Sequence, residues 1–153
     1  PHATEIYFCF SGGGHMRTSD REVAIVGVEA AGSGVTTDRH AATLTTGQPQ
    51  VIHGMNTYCI VEGTVTSEGN HCIAAGLDYP GVGPQLAHLK ESGRLVAAQA
   101  TDEEALAALV RLCRQEGILP VLESAHALAH LDRLAAECAC QTEVLAAGAT
   151  YRF

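Results

Sequence analysis

The second half of the chain alternates predicted strands with predicted helices, and this alternation restricts the fold more than any other feature. The clearest element is a helix predicted over residues 101–117, where Thr101 and Glu104 have the spacing of a capping box. The run "RLVAAQA" (94–100) predicts a strand before it, and "ILPVLE" (118–123) predicts a strand after it. Strands that alternate with helices in this way indicate an α/β protein with a layered sheet.

The remaining predicted elements continue this pattern. Strands are predicted in three further apolar runs, "EIYFCF" (5–10), "EVAIVGVEA" (22–30) and "EVLAA" (143–147). Helices are predicted in "PQLAHLKESG" (84–93) and "SAHALAHLDRLAAE" (124–137), and a hairpin broken at Glu-Gly is predicted within 51–68. One apolar stripe along the 101–117 helix consists of Leu106, Leu109, Val110 and Cys113. No linker divides these elements, so we expect a single domain over residues 1–153.

Composition and charge restrict the classes of partner. The chain has 153 residues and 46% hydrophobic composition, which suffices for a real core. Its net charge of −8 and its scattered basic residues argue against a nucleic-acid or anionic-membrane surface. No apolar run reaches the roughly 18 residues of a membrane helix, and no charged-then-apolar leader is present. We therefore expect a soluble, unsecreted, cytoplasmic domain.

Cysteine and lysine usage add two restrictions. The six cysteines stand mostly in apolar or helical surroundings, where buried free thiols are expected. The pair Cys138-Ala-Cys140 could bind a metal, but no second pair stands at zinc-ribbon spacing, so we expect no metal site. The nine basic residues are eight arginines and one lysine, so a mechanism built on a lysine Schiff base has only Lys90.

Glycines follow the first predicted strand in "YFCFSGGGHM" (7–16). Backbone N–H groups in such a turn can surround a phosphate, whereas the plain alternative is a tight turn in which glycine supplies a positive φ. Three glycines alone favour the plain turn. A second segment, "GLDYPGVGP" (76–84), predicts a rigid turn whose carbonyl groups could face a cation.

Glu123, His126 and His130 are spaced i, i+3 and i+7, so they share one face at the start of a helix. Two histidines four apart with a carboxylate beside them match metal-ligand spacing, but histidines that pack or hydrogen-bond on a half-buried helix are the favoured interpretation. Glu123 stands where a predicted strand gives way to a helix, which is where α/β sheets bind ligands. Its carboxylate can act as a general base, hold a cationic substrate or satisfy the helix dipole.

Five long stretches carry a family resemblance: "GVEAAGSGVTTDRHAATLTTGQPQVIHG" (27–54), "TYCI" (57–60), "HCIAAGLDYPGVGP" (71–84), "TDEEALAAL" (101–109) and "CRQEGILPVLESAHALAH" (113–130). Together they resemble the C-terminal part of the tryptophan synthase β subunit, without gaps from about Val23 to Leu134. The resemblance implies an α/β three-layer sandwich with a mostly parallel sheet, part of the fold-type II fold of enzymes that use pyridoxal phosphate (PLP). It also places "SGGGHM" (11–16) on the family's phosphate loop.

Several cofactor-binding features of that family are missing from this sequence. The family's first half, with the lysine that binds PLP and the acidic residue that handles the indole nitrogen, is absent, and Lys90 belongs to a different part of the fold. The family continues its three glycines with Ser-Asn, where this chain has His15 and Met16. In "LAAGATYRF" (145–153), alanines stand where the serine that bonds the pyridine nitrogen should fall, although Thr150 is close by. These departures from the family pattern predict that the PLP site is lost and that no cofactor is used.

The resemblance also carries over candidate site residues. Glu123 matches the glutamate beside cofactor and substrate and is the expected base, with His15 or His126 as helper. Asp78 matches an aspartate that helps close the site. Positions whose carbonyl groups ring a monovalent cation in the family match Gly12, Tyr79 and Gly81. The expected substrate-binding set is Gly12, Gly13, Gly14, Asp78, Tyr79 and Tyr58, and no metal ligand is expected.

Three functions follow from these observations. The first is a PLP-independent enzyme of specialised metabolism acting on tryptophan or an indole derivative, for example a Pictet–Spengler-type condensation of the amine with an aldehyde that gives a β-carboline. The second is one half of a split tryptophan synthase β subunit that needs a partner chain, and the third is a non-catalytic binding module. We expect a small indole or tryptophan substrate, no nucleic acid or membrane partner, and a homodimer, because a lone copy would expose a large apolar face.

Overall fold

The computed structural model describes residues 4–8, 24–60 and 71–137, and it describes side chains in 24–60 and 71–134. The strands are β1 (Thr4–Phe8), β2 (Ala24–Gly32), β3 (Gln48–Ile52), β4 (Met55–Cys59) and β5 (Leu95–Thr101). The helices are α1 (Thr43–Thr46), α2 (Pro84–Glu91), α3 (Asp102–Glu116) and α4 (Leu122–Glu137), with a 3₁₀ turn at Ala75–Leu77. Within these ranges no helix combines the length and the apolar character that crossing a membrane requires.

The main sheet is parallel and has the strand order β1–β2–β5, so β2 is hydrogen-bonded on both sides. Every residue of β2 after Ala24 is buried, which is typical of a parallel strand that is covered on both faces. β3 and β4 form a separate antiparallel hairpin. The predicted α/β class with a parallel sheet is therefore confirmed.

Helices cover both faces of this sheet. Neighbouring residues of β2 point to opposite faces, so their contacts show which helix covers each face. On one face, Ile25 packs in a cluster with Leu86 of α2. On the other face, Val26 and Val28 pack in a cluster with Ala127 of α4. We call these the α2 face and the α4 face. Their arrangement gives the helix–sheet–helix layers of the predicted sandwich.

The ends of α3 agree with the prediction from sequence. The Thr101 hydroxyl accepts from the Glu104 N–H at 3.2 Å, and the Glu104 carboxylate accepts from the Thr101 N–H at 2.8 Å, so the capping box is formed. Gly117 ends the helix with a left-handed φ of 69°, a conformation that costs glycine little.

The predicted apolar stripe of α3 is only partly buried. The buried residues of the helix are Ala105 and Ala108, whereas Leu106 and Val110 are 40% and 41% exposed. Periodicity alone does not fix which of two adjacent apolar rows of a helix faces the core, and here the smaller side chains do. The short alanine side chains permit a close approach of α3 to its neighbours.

The predicted strand over residues 118–123 is wrong. Residues 118–121 have no regular structure, and α4 already begins at Leu122. Pro120 lacks a backbone N–H, which makes a place inside a sheet unfavourable. Glu123 therefore lies in the first turn of α4 and not at the end of a strand.

The structure has a hairpin at the start of the predicted 51–68 region, but it pairs different segments from the predicted ones and turns earlier in the chain. β3 and β4 are joined at His53 and Gly54, whose φ values of 51° and 77° are those that a tight hairpin turn needs. The predicted break at Glu-Gly (62–63) lies outside the described residues, and so does the predicted strand over 143–147.

Candidate functional site

Loops and helix starts meet at the carboxyl edge of the parallel sheet. There β2 ends at Gly32, and β5 ends at Thr101, directly before Asp102 begins α3. A Cβ on Gly32, which has φ +51°, would lie 2.3 Å from the Arg39 carbonyl oxygen and 2.6 Å from that of His71. Glycine is therefore required here, and it lets both backbone segments close over the end of β2. Open α/β sheets bind ligands at this edge.

Glu123 is half-buried in the first turn of α4. Its Oε1 accepts a hydrogen bond at 2.9 Å from the N–H of Gly76, which lies in the 3₁₀ turn. This bond joins the turn to the start of α4 and fixes the direction of the carboxylate. A carboxylate held through one oxygen retains acceptor capacity for a proton or a cation.

We expect Gly76→Ala to displace the Glu123 carboxylate without unfolding the chain. A Cβ at position 76 would lie 2.7 Å from Oε1 and 3.2 Å from Cγ of Glu123, and the tip of a side chain moves more easily than backbone. The free energy of unfolding, measured by urea titration, should fall by about 1 kcal/mol, the usual net value of one hydrogen bond.

The double variant Gly76→Ala/Glu123→Ala is the control for this prediction. If the Gly76–Glu123 bond is already broken in Gly76→Ala, the double variant should lose less stability than the sum of the losses in Gly76→Ala and Glu123→Ala. Strictly additive losses would show that the alanine at position 76 leaves the bond intact.

A second group of polar side chains lies one helical turn further along α4. Cys72 Sγ is 3.7 Å from His126 Nε2, and Asp102 Oδ1 is 3.9 Å from the same nitrogen. Cys72 and His126 are buried, and the Asp102 side chain is 20% exposed. Around Asp102, His71 Nε2 lies 3.1 Å from Oδ2, and the Ile73 N–H donates to Oδ1 at 3.1 Å. We call Cys72, Asp102 and His126 the edge cluster.

Hydrogen bonds define the protonation of the edge cluster. His126 Nδ1 lies 2.8 Å from the Leu122 carbonyl oxygen and donates to it, so the lone pair of Nε2 faces Cys72 and Asp102. Burial lowers the pKa of His126, which keeps its ring neutral near neutral pH. Burial also raises the pKa of Cys72 to about 12, so the sulfur keeps a proton that it can donate to His126 Nε2.

Two other predicted site residues lie near this edge. Asp78 ends the 3₁₀ turn, and burial raises its pKa, with His71 and Asp102 close enough for their charges to act on it. The Tyr79 ring stacks on His53 of the hairpin turn, with ring centroids 6.0 Å apart and 22° between the ring planes. Gly12, Gly13, Gly14 and His15 lie outside the described residues.

The structure does not bring Tyr58 to the Glu123 carboxylate. The Tyr58 ring packs against the core cluster of the α2 face, and the Lys90 ammonium lies 4.4 Å from the ring centroid. Lys90 also donates to the Leu44 carbonyl oxygen. The substrate-binding role of Tyr58 stays a prediction, and its ring lies with the α2-face cluster, whereas Glu123 lies on α4.

Glu29 is a buried acid whose importance the sequence pattern did not reveal. Its side chain accepts hydrogen bonds from the Leu44 N–H and, at 2.9 Å each, from the N–H and hydroxyl of Thr45. Burial raises the pKa of Glu29 to about 7, against the opposing effect of these donors and of the Lys90 charge. The available signal was that Glu29 is the single charged residue in the otherwise apolar run 24–32.

Most of the sequence matches two curated relatives. The tryptophan synthase β chain of Nitrosomonas europaea is 54% identical over 116 residues, which are 76% of this chain and 29% of that protein. The β chain of Stenotrophomonas maltophilia is 51% identical over 123 residues, which are 80% of this chain and 30% of that protein. The chain is homologous to part of the tryptophan synthase β chain. It spans about 30% of the length of these relatives, and no family model matches it.

Solved structures share the fold at low sequence identity. A fungal L-serine ammonia-lyase from Rhizomucor miehei gives a TM-score of 0.61 at 18% identity, covering 94% of this chain and 44% of that chain. The threonine deaminase of T.th. gives a TM-score of 0.60 at 18% identity, covering 100% of this chain and 50% of that chain. This likeness confirms the predicted fold, which is part of the fold-type II architecture.

Proposed function

We propose that this chain contributes the proton-transfer residue of a site that acts on tryptophan or an indole derivative. Homology to tryptophan synthase β chains supports the substrate class. The 2.9 Å hydrogen bond that holds Glu123 at the carboxyl edge is the observation that carries the chemistry, because it orients a carboxylate where α/β sheets bind ligands.

The residues of this chain do not fit covalent attachment of PLP, the cofactor that the resemblance implies. Covalent attachment needs a lysine, and Lys90 is the only lysine of the sequence. Its ammonium donates to the Leu44 carbonyl oxygen and lies over the Tyr58 ring on the α2 face. The proposal therefore takes two forms, one without PLP and one in which a second chain supplies the lysine.

The first form is a Pictet–Spengler-type condensation on tryptophan. The protonated amine and an aldehyde condense with loss of one water to give an iminium ion. The indole ring carbon next to the one that carries the side chain then attacks the iminium carbon. The ring then loses the proton from that carbon to the Glu123 carboxylate, which gives a tetrahydro-β-carboline. No oxidant or reductant is needed, and one positioned base is sufficient.

The test combines the purified chain with tryptophan and acetaldehyde and follows the product by mass spectrometry and chiral chromatography. We expect a rate above that of the protein-free mixture and an excess of one diastereomer. Product that forms at the background rate and in the background ratio would contradict the cofactor-free form.

This chain spans only about 30% of the length of its relatives, which favours a second candidate function. In this candidate, the chain forms a tryptophan synthase β-type site together with a separate chain. Its test mixes the chain with a protein that spans the remaining part, adds PLP, indole and L-serine, and measures the tryptophan that forms with loss of water. Activity only in the mixture supports this candidate. Indole binding without turnover in either assay would instead identify a binding module.

We expect PLP added to the chain alone not to become fixed to Lys90 by borohydride. The lysine ammonium would have to leave both the Leu44 carbonyl oxygen and the Tyr58 ring to react. Mass spectrometry of the digested protein measures the label, with Lys90→Arg as the blank. A stoichiometric label at Lys90 would show that this chain carries its own cofactor lysine.

A further inference from the structure

A thiol, a carboxylate and an imidazole converge at the edge cluster. One ligand atom from each of Cys72, Asp102 and His126 lies within 4.8 Å of the other two. The Sγ–Nε2 and Nε2–Oδ1 distances are 3.7 and 3.9 Å. Tetrahedral zinc with ordinary bond lengths separates such atoms by about 3.4–3.6 Å. The two separations that involve His126 therefore need to shorten by only about 0.1–0.5 Å to match those of a zinc site.

The histidine of the edge cluster is oriented as a metal ligand is. Its Nδ1 donates to the Leu122 carbonyl oxygen at 2.8 Å, which leaves the Nε2 lone pair directed at the cluster. Metal-binding histidines almost always donate their other ring N–H to a carbonyl or carboxylate, and this bond fixes the tautomer.

The other two groups of the edge cluster are also fixed by neighbours. The Ala74 N–H donates to Cys72 Sγ at 3.2 Å, a bond that stabilises negative charge on sulfur. Asp102 is held between the Ile73 N–H and His71 Nε2, and His71 Nδ1 accepts from Arg39 at 3.2 Å. Since the guanidinium can only donate, His71 must donate through Nε2 to Asp102. His71 is therefore a positioning residue and not a ligand.

We propose that Cys72, Asp102 and His126 bind one divalent ion of the zinc class as three protein ligands, which leaves a fourth coordination position for water or another ligand. Sulfur and imidazole nitrogen select zinc or cobalt over magnesium and calcium, which prefer oxygen ligands. Binding replaces the thiol proton, which leaves to solvent. The test of this site is independent of the Glu123 proposal, because metal binding is measured without any assay of turnover.

The competing interpretation is a plain hydrogen bond from the Cys72 thiol to His126 Nε2 in a metal-free core. Cobalt(II) distinguishes the two, because it occupies zinc sites and gives a thiolate-to-cobalt charge-transfer band in the near ultraviolet. We expect the metal-stripped chain to bind one cobalt with this band, and zinc to abolish the band by displacement. A chain that binds no cobalt, or binds it without the band, overturns the proposal.

Three variants assign the band to the edge cluster. Cys72→Ser should remove the band, and Asp102→Asn, which keeps the acceptor for the Ile73 N–H, should weaken cobalt binding at least 10-fold. His71→Ala should weaken binding by about 10–100-fold while keeping the band at saturation, as expected for loss of a positioning partner. Melting curves confirm that each variant is folded.

The matched control is the double variant Cys138→Ser/Cys140→Ser, which removes a cysteine pair outside the edge cluster that could bind a metal. It should leave the band and the affinity unchanged. A band that is lost in this variant and kept in Cys72→Ser would place the metal at the Cys138/Cys140 pair and overturn the proposal.

Discussion

Glu123→Gln is expected to keep the fold and indole binding but to lose turnover by about 10²–10⁴-fold, the usual effect of removing a positioned general base. The glutamine oxygen can still accept from the Gly76 N–H, which Glu123 Oε1 now does at 2.9 Å. What the substitution removes is the negative charge and the basicity. The measurements are a melting curve, an indole titration and the rate of whichever assay above shows activity.

Glu103→Gln is the matched control, because Glu103 also lies in the first turn of a helix, α3, and is exposed. Both substitutions remove one favourable charge from a helix start, an effect of about 0.3–1 kcal/mol on stability. Only Glu123→Gln should change the rate. Wild-type turnover in Glu123→Gln would reduce Glu123 to a helix-start charge and refute the mechanism.

Local rules predicted the elements whose signals are contained in short segments. The capping box of Thr101 and Glu104 and the stop at Gly117 need only contacts within the helix itself, and all are present. The prediction for residues 118–123 was wrong because a short apolar run fits a strand or a helix start equally well. Glu123 nevertheless lies at the expected edge, because α4 begins beside the 3₁₀ turn, where the Gly76 N–H donates to the carboxylate.

The edge cluster could not be predicted, because its members come from three separate segments. Cys72 and His126 are 54 positions apart, and only the packing of the 3₁₀ turn against α4 brings them together. The sequence spacing instead grouped His126 with Glu123 and His130, although the Nε2 lone pair turns to Cys72 and Asp102. Spacing along a helix shows which residues share a face, but it does not show what the other elements place opposite that face.

Glu29 illustrates the same limit and leads to a prediction of pH dependence. Its donors come from Leu44 and Thr45 at the start of α1, so nothing within the strand indicated that the carboxylate is both buried and hydrogen-bonded. Burial raises its pKa from 4.5 to about 7. A raised pKa means that the folded chain holds a proton which the unfolded chain has already released. Glu29 therefore contributes its full stability below pH 4.5, and this contribution is lost as the pH rises to about 7.

The expected loss of unfolding free energy across this interval is about 3 kcal/mol, from the size of the pKa shift. Urea unfolding curves of the wild type and of Glu29→Gln, measured at both ends of the interval, isolate this contribution, because the other titrating groups cancel in the difference. Glu116→Gln, an exposed glutamate of α3, should leave the pH dependence as in the wild type. The same slope in wild type and Glu29→Gln would mean that the hydrogen bonds from Thr45 and the charge of Lys90 outweigh burial and keep Glu29 ionised in the folded chain.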